Sequence, residues 1–169
     1  MFIILLALSN LITLASGMNV NIKNNCPWAI DIYSHENSQF INKCKIKSKK
    51  TCLLKFIEET VESGLIKDLN GEKATLFEFT KNKNGIWYDI SVIPPGSGIC
   101  YSYDECFQKS KKIGFNDPLK VEIKQSKFNS RCNNLKCLNS KCQDAYLFPF
   151  DDNKTHFCNL NTNFTITYC

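Results

Sequence analysis

The chain has 169 residues, ten cysteines, 22% charged residues and a net charge of +5. Its length suits one domain with a core of its own, and the even cysteine count behind an apolar N-terminus points to disulfides in an oxidising compartment, away from the cytosol. The positive balance is modest, and nothing interleaves aromatic with basic residues as nucleic-acid grooves require, so no nucleic-acid partner is expected.

Residues 1–17, MFIILLALSNLITLASG, form an apolar run that ends in small residues and is short for a bilayer span. The run reads as a cleaved signal peptide, with an uncleaved anchor as the alternative, and it leaves 18–169 as a single secreted domain. No later stretch is apolar enough for an integral membrane segment. Residues 19–34 read as two strands divided by an Asn24-Asn25-Cys26-Pro27 corner, with Trp28, Ile30 and Ile32 alternating. Lys43, Lys45, Lys47 and Lys49 then recur at every second position and put a basic stripe on one strand face. Such a stripe fits a patch for acidic polysaccharide or anionic membrane, or else the protection of an edge strand against pairing, which is the favoured reading. Cys44 and Cys52 are close enough to staple a hairpin that turns near Ser48. Residues 51–57 continue as strand. Residues 58–69 are strand or loop, because Gly64 interrupts the helical spacing of Ile57, Val61 and Leu65.

The most informative stretch is 74–93, ATLFEFTKNKNGIWYDISVI. Phe77 and Phe79 alternate with polar neighbours, as do Ile86, Tyr88 and Ile90, and Asn82-Lys83-Asn84-Gly85 between them is turn chemistry. Pairing Phe79 with Tyr88 and Phe77 with Ile90 gathers the large apolar side chains on one face and leaves a four-residue loop. The same register sets Glu78 opposite Asp89 on the other face. Like charges at that separation repel, and the pair either splays into solvent or acquires an acid–base character. Trp87 falls on the carboxylate face and is a candidate sugar-stacking ring, with Tyr101 and Tyr103 as further candidates.

Pro94-Pro95-Gly96-Ser97-Gly98 ends the hairpin. Cys100 and Cys106 bracket a small stapled excursion with Asp104 and Glu105 at its base and Lys109, Lys111 and Lys112 after it. Residues 119–123 alternate as a strand, cysteines crowd from Cys132 onward, and 164–168 form a last strand closed by Cys169. Many short strands, frequent turns and scarcely any helix signal indicate an all-β sandwich. No Cys-x-x-Cys is present and only His35 and His156 are available to help cysteine bind zinc, so both histidines are read as surface residues and neither metal nor cofactor is expected. Asn153-Lys154-Thr155 and Asn163-Phe164-Thr165 are glycosylation sequons, the first in a loop and better placed than the second.

Several stretches in order resemble the thaumatin-like proteins. Val20-Asn21-Ile22-Lys23-Asn24-Asn25-Cys26-Pro27 with Trp28 looks like that family's opening strand, and Phe77-Glu78-Phe79-Thr80 and Tyr88-Asp89-Ile90-Ser91 resemble its central strands. Gly114-Phe115-Asn116 with Pro118, the Cys132-x4-Cys137 spacing, Cys142-Gln143-Asp144-Ala145-Tyr146, Phe150-Asp151-Asp152 before Cys158, and Phe164-Thr165-Ile166-Thr167-Tyr168-Cys169 continue the likeness. The resemblance implies a flattened β-sandwich with disulfide-stapled loops and, in so short a chain, a reduced cysteine-rich loop region, as in the family's small type. It also implies the pairs Cys26–Cys169, Cys132–Cys158 and Cys137–Cys142, leaving Cys44–Cys52 and Cys100–Cys106 to proximity.

In that family an acidic cleft is linked to binding, and sometimes weak hydrolysis, of β-1,3-glucan. Glu78 and Asp89 match its glutamate and first aspartate, and Asp151 or Asp152 is placed to supply the last acid. Two positions depart: Leu65 stands where an arginine follows Ser-Gly, and Ile113 where an aspartate precedes Gly-Phe-Asn. Some twenty residues, including Cys100 and Cys106, are inserted just before it. The resemblance therefore implies a secreted monomer that binds β-glucan, another polysaccharide or a microbial surface in defence or host–microbe interaction, with Glu78, Asp89, Trp87, Asp151 and Asp152 at the site. The alternatives are a weak endo-β-1,3-glucanase with Glu78 and Asp89 as catalytic pair, and a protein-interaction module or effector, bound to a microbial or host surface protein, whose cleft has lost its use.

Overall fold

The computed structural model describes residues 17–36, 39–56, 62–68, 72–124 and 131–169. The signal-peptide reading of residues 1–17 thus lies outside the described residues but for Gly17. In chain order the strands are β1 (Met18–Asn24), β2 (Ile30–Glu36), β3 (Gln39–Ile46), β4 (Thr51–Phe56), β5 (Glu62–Asp68), β6 (Leu76–Asn82) and β7 (Gly85–Ser91). One helix follows, α1 (Tyr103–Ser110), and then β8 (Leu119–Lys124), β9 (Leu135–Cys137), β10 (Ala145–Tyr146), a single 3-10 turn at Asp152–Lys154, β11 (His156–Cys158) and β12 (Asn163–Tyr168).

The strands form two sheets. One has five strands in the order β4-β1-β12-β8-β9, and the other runs β10-β7-β6-β5-β2-β3 with β11 also paired to β7. Period-two alternation determines which side chains go inward: Val20 and Ile22 of β1, Phe77 and Phe79 of β6, and Tyr88 and Ile90 of β7 are all buried. Across the interface Phe164 packs on Phe77 and Tyr88 with ring centroids 5.4 and 5.0 Å apart, and Phe56 meets Phe79 at 4.9 Å. Tyr88 is anchored further by its hydroxyl, which donates to the carbonyl of Asn133 at 2.6 Å and accepts from its N–H at 2.8 Å. At the first corner, buried Asn24 donates to the carbonyls of Trp28 and Ile46 and accepts from the N–H of Cys26, which satisfies a backbone bend the sheets leave unpaired.

The ten cysteines form five disulfides: Cys26–Cys169, Cys44–Cys52, Cys100–Cys106, Cys132–Cys158 and Cys137–Cys142. Three local expectations are corrected. Residues 39–56 are not a hairpin: β3 is the edge of one sheet and β4 the edge of the other, so the chain crosses between layers and Cys44–Cys52 clips the two edges together. The central hairpin closes on two residues instead of four, because Asn82 and Gly85 themselves pair. Gly85 is required there: its φ is +152°, and a Cβ would lie 2.5 Å from the carbonyl oxygen of Cys158. Finally, the excursion after Cys100 is helical, capped by the Ser102 hydroxyl, which accepts from the Glu105 N–H.

Candidate functional site

β6 and β7 pair in the expected register, Phe77↔Ile90, Glu78↔Asp89 and Phe79↔Tyr88. Burying the phenylalanines and tyrosine in the core obliges the two carboxylates to share the opposite, outer face. β5 lies on the other side of β6 with Leu65 opposite Glu78, and the Ser63 and Thr80 hydroxyls are hydrogen-bonded at 2.8 Å. These side chains form the floor of a cleft of about 390 Å³, completed by His35, Trp87 and Thr155.

The electrostatics follow from what this floor lacks. Burial raises the Glu78 carboxyl above its ordinary value, opposed by a hydrogen bond from Ser91. Asp89 is pushed up to about 8, first by burial and then by the negative charge of Glu78. Its Oδ1 atom is buried without a hydrogen-bond partner. The residue directly facing Glu78 on β5 is Leu65, which brings no charge to it. Burial and the Glu78 charge thus favour a protonated Asp89, whose carboxyl can donate next to the Glu78 oxygens that can accept, an arrangement suited to a ligand rich in hydroxyl groups.

Trp87 stands at the wall, 38% exposed, with its ring 4.7 Å from that of Phe157 on β11. The structure thus brings Glu78, Asp89 and Trp87 together. Asp151 and Asp152 are not in the cleft lining: Asp151 accepts from the Leu147 N–H at 3.4 Å, and Asp152 accepts from the Tyr146 hydroxyl at 3.3 Å. That hydroxyl also hydrogen-bonds Thr155, so Asp152 reaches the cleft only through two intermediaries. His35, read from the sequence as a surface residue, lines the cleft with its ring edge-on to Phe40 at 5.0 Å. Tyr101 and Tyr103 belong to the helix region instead: Tyr101 stacks on Phe150 at 5.2 Å, and Tyr103 on Phe107 at 6.4 Å. Of the sequons, Asn153 is exposed, whereas the Asn163 side-chain oxygen takes hydrogen bonds from the backbone and side chain of Asn19.

Among the described residues one cluster has metal-like spacing, Cys26, Asp117 and Cys169 within 4.8 Å. Both sulfurs are spent in a disulfide, so the cluster offers one carboxylate and no ligand set. No described helix is long and apolar enough to cross a membrane.

No protein-family model matches the chain. Its sequence is 36% identical over 101 residues to thaumatin-like pathogenesis-related protein 4 of Avena sativa, and 33% identical over 102 residues to a thaumatin-like protein of Oryza sativa subsp. japonica. Each match takes in 60% of this chain and 44% of the relative, so the chain matches less than half the length of these curated proteins. Among solved structures it is similar to the protein elicitor MoHrip2 from Magnaporthe oryzae, with a TM-score of 0.54 at 12% identity over 90% of this chain and 98% of that one. It is likewise similar to the thaumatin-like xylanase inhibitor TLXI, with a TM-score of 0.54 at 11% identity over 89% and 98%. The sequence match, the shared sandwich and the five disulfides together make the chain similar to the thaumatin-like proteins.

Proposed function

We propose that the chain is a secreted defence protein that binds β-1,3-glucan in the cleft over β6 and β7. The observation that carries this reading is the opposed pair Glu78 and Asp89 on the floor of an open cleft walled by Trp87. A neutral Asp89 donates to a sugar hydroxyl, Glu78 accepts from one, and the exposed part of Trp87 stacks on a sugar ring. The pathogenesis-related names of the sequence relatives support the defensive role, and the disulfide frame supports an extracellular site with Asn153 as glycan carrier.

Binding is favoured over hydrolysis. A retaining glycosidase needs an ionised nucleophile about 5–5.5 Å from its acid. Cross-strand neighbours approach that spacing, but burial biases both carboxyls towards the neutral form, against the ionised nucleophile that hydrolysis needs. The test is retention of the oxidised protein on insoluble β-1,3-glucan, with reducing-sugar release measured in parallel. Glu78→Gln and Asp89→Asn are each expected to weaken retention about tenfold. Undiminished retention in both variants rejects the cleft, and sugar release lost in both adds catalysis.

A protein-interaction module is the second reading. Its support is the surface beside α1, where Ile99, Tyr101 and Phe150 are more than half exposed. It gains ground if wild type ignores glucan but inhibits a xylanase and Tyr101→Ala does not.

A further inference from the structure

The outer face of the five-stranded sheet is a second surface with a chemistry of its own. Side chains at its outward positions fall into rows across the strands. One row reads Thr51, Lys23, Thr167, Lys120 and Lys136 through successive pairings from β4 to β9. A second, at the other end of the strands, holds Lys55 paired to Asn19, and Asn163 paired to Lys124. Between them run Leu53, Asn21, Thr165 and Glu122. Five lysines thus share these outward strand positions with one carboxylate, that of Glu122.

Three features distinguish this surface from an ordinary solvated face. Lys23 and Lys120 sit on β1 and β8, strands paired on both sides, where edge protection has no purpose. Lys120 and Lys136 are direct cross-strand partners, a like-charge contact that costs stability unless something answers it. They make no ion pair among the described residues, and they border a depression of about 250 Å³ shared with Glu122, Asn134 and Asp144. Around the lysines the side chains are short amides and hydroxyls, Thr165 and Thr167 being buried, so the lysines are the longest side chains of the first row. With strands about 4.8 Å apart, the first row extends roughly 19 Å, the footprint of a polymer and not of a single ion.

We propose that this face binds an anionic polysaccharide, a chain of sugar carboxylates laid across the strands and held by Lys23, Lys120 and Lys136. A lipid surface is the poorer match, because among the outward residues of these rows Leu53 alone is a large exposed hydrophobic. The absence of aromatic side chains from the rows weighs equally against single-stranded nucleic acid. The proposal does not depend on the cleft, which opens on the opposite sheet.

Affinity electrophoresis through gels containing polygalacturonate, at about 150 mM salt, tests it. Wild type is expected to be retarded, the triple variant Lys23→Gln/Lys120→Gln/Lys136→Gln to lose at least about tenfold in affinity with a shallower salt dependence, and Lys43→Gln/Lys45→Gln on β3 to stay within about twofold. Glu122→Gln is expected to bind more tightly than wild type, a gain that no folding defect can mimic. Glu78→Gln is expected to be retarded like wild type while losing glucan, which separates this face from the cleft. Unretarded wild type, a triple variant retarded as strongly as wild type, or an unchanged Glu122→Gln each overturn the proposal. So does tighter lysine-dependent binding to phosphatidylserine vesicles or single-stranded DNA than to polygalacturonate.

Discussion

One oxygen of Asp89 is buried without a donor, and its carboxyl is held near 8 against an ordinary 3.8. The unfolded chain releases this proton near its ordinary value and the folded chain keeps it until about 8, so the folded state binds more protons between those limits. Stability therefore falls as pH rises from about 4 to about 8 and levels off beyond. Asp89→Asn is expected to remove much of that slope and to raise the melting temperature most at pH 8, as read by denaturation across the range. Leu65 supplies the complementary test. An arginine there faces Glu78, and Leu65→Arg is expected to lower the titration midpoints of both carboxyls by about one unit or more in an NMR titration. An unchanged Asp89 midpoint would show that burial alone sets it.

At the scale of elements, the sequence was most legible where one period covers a whole strand. Phe77, Phe79, Tyr88 and Ile90 define a buried face unambiguously, and that fixes Glu78 against Asp89. His35 and Thr155 were not legible as cleft residues. They come from β2 and the segment before β11, and only the long-range pairings of β2 with β5 and of β11 with β7 bring them near β6. The layer crossing between β3 and β4 was hidden for a similar reason, since local spacing cannot tell a hairpin from a corner between sheets. Helix α1 is a different case, because Ser102-x-x-Glu105 and the Glu105–Lys109 pair at 2.7 Å are signals the sequence carries. Ser102→Ala is expected to cost about 1 kcal/mol in denaturant unfolding and to leave glucan retention unchanged, because α1 lies away from the cleft.

For the molecule as a whole, Cys26–Cys169 closes a loop of 143 residues, with β1 and β12 side by side as parallel neighbours. Replacing both cysteines by alanine is expected to destabilise by about 5 kcal/mol in denaturant unfolding, more than opening Cys137–Cys142 with its separation of 5. A different disulfide governs the layering. The two sheets, clipped together at the β3–β4 crossing by Cys44–Cys52, stack about 10 Å apart in backbone and turn their outward surfaces opposite ways. With both proposed surfaces occupied at once, such a slab would cross-link a neutral and an acidic glycan in one matrix. Mixed solutions of the two are then expected to turn turbid at intermediate protein concentration and clear again in excess, when each polymer is saturated separately. Either polymer alone should stay clear throughout.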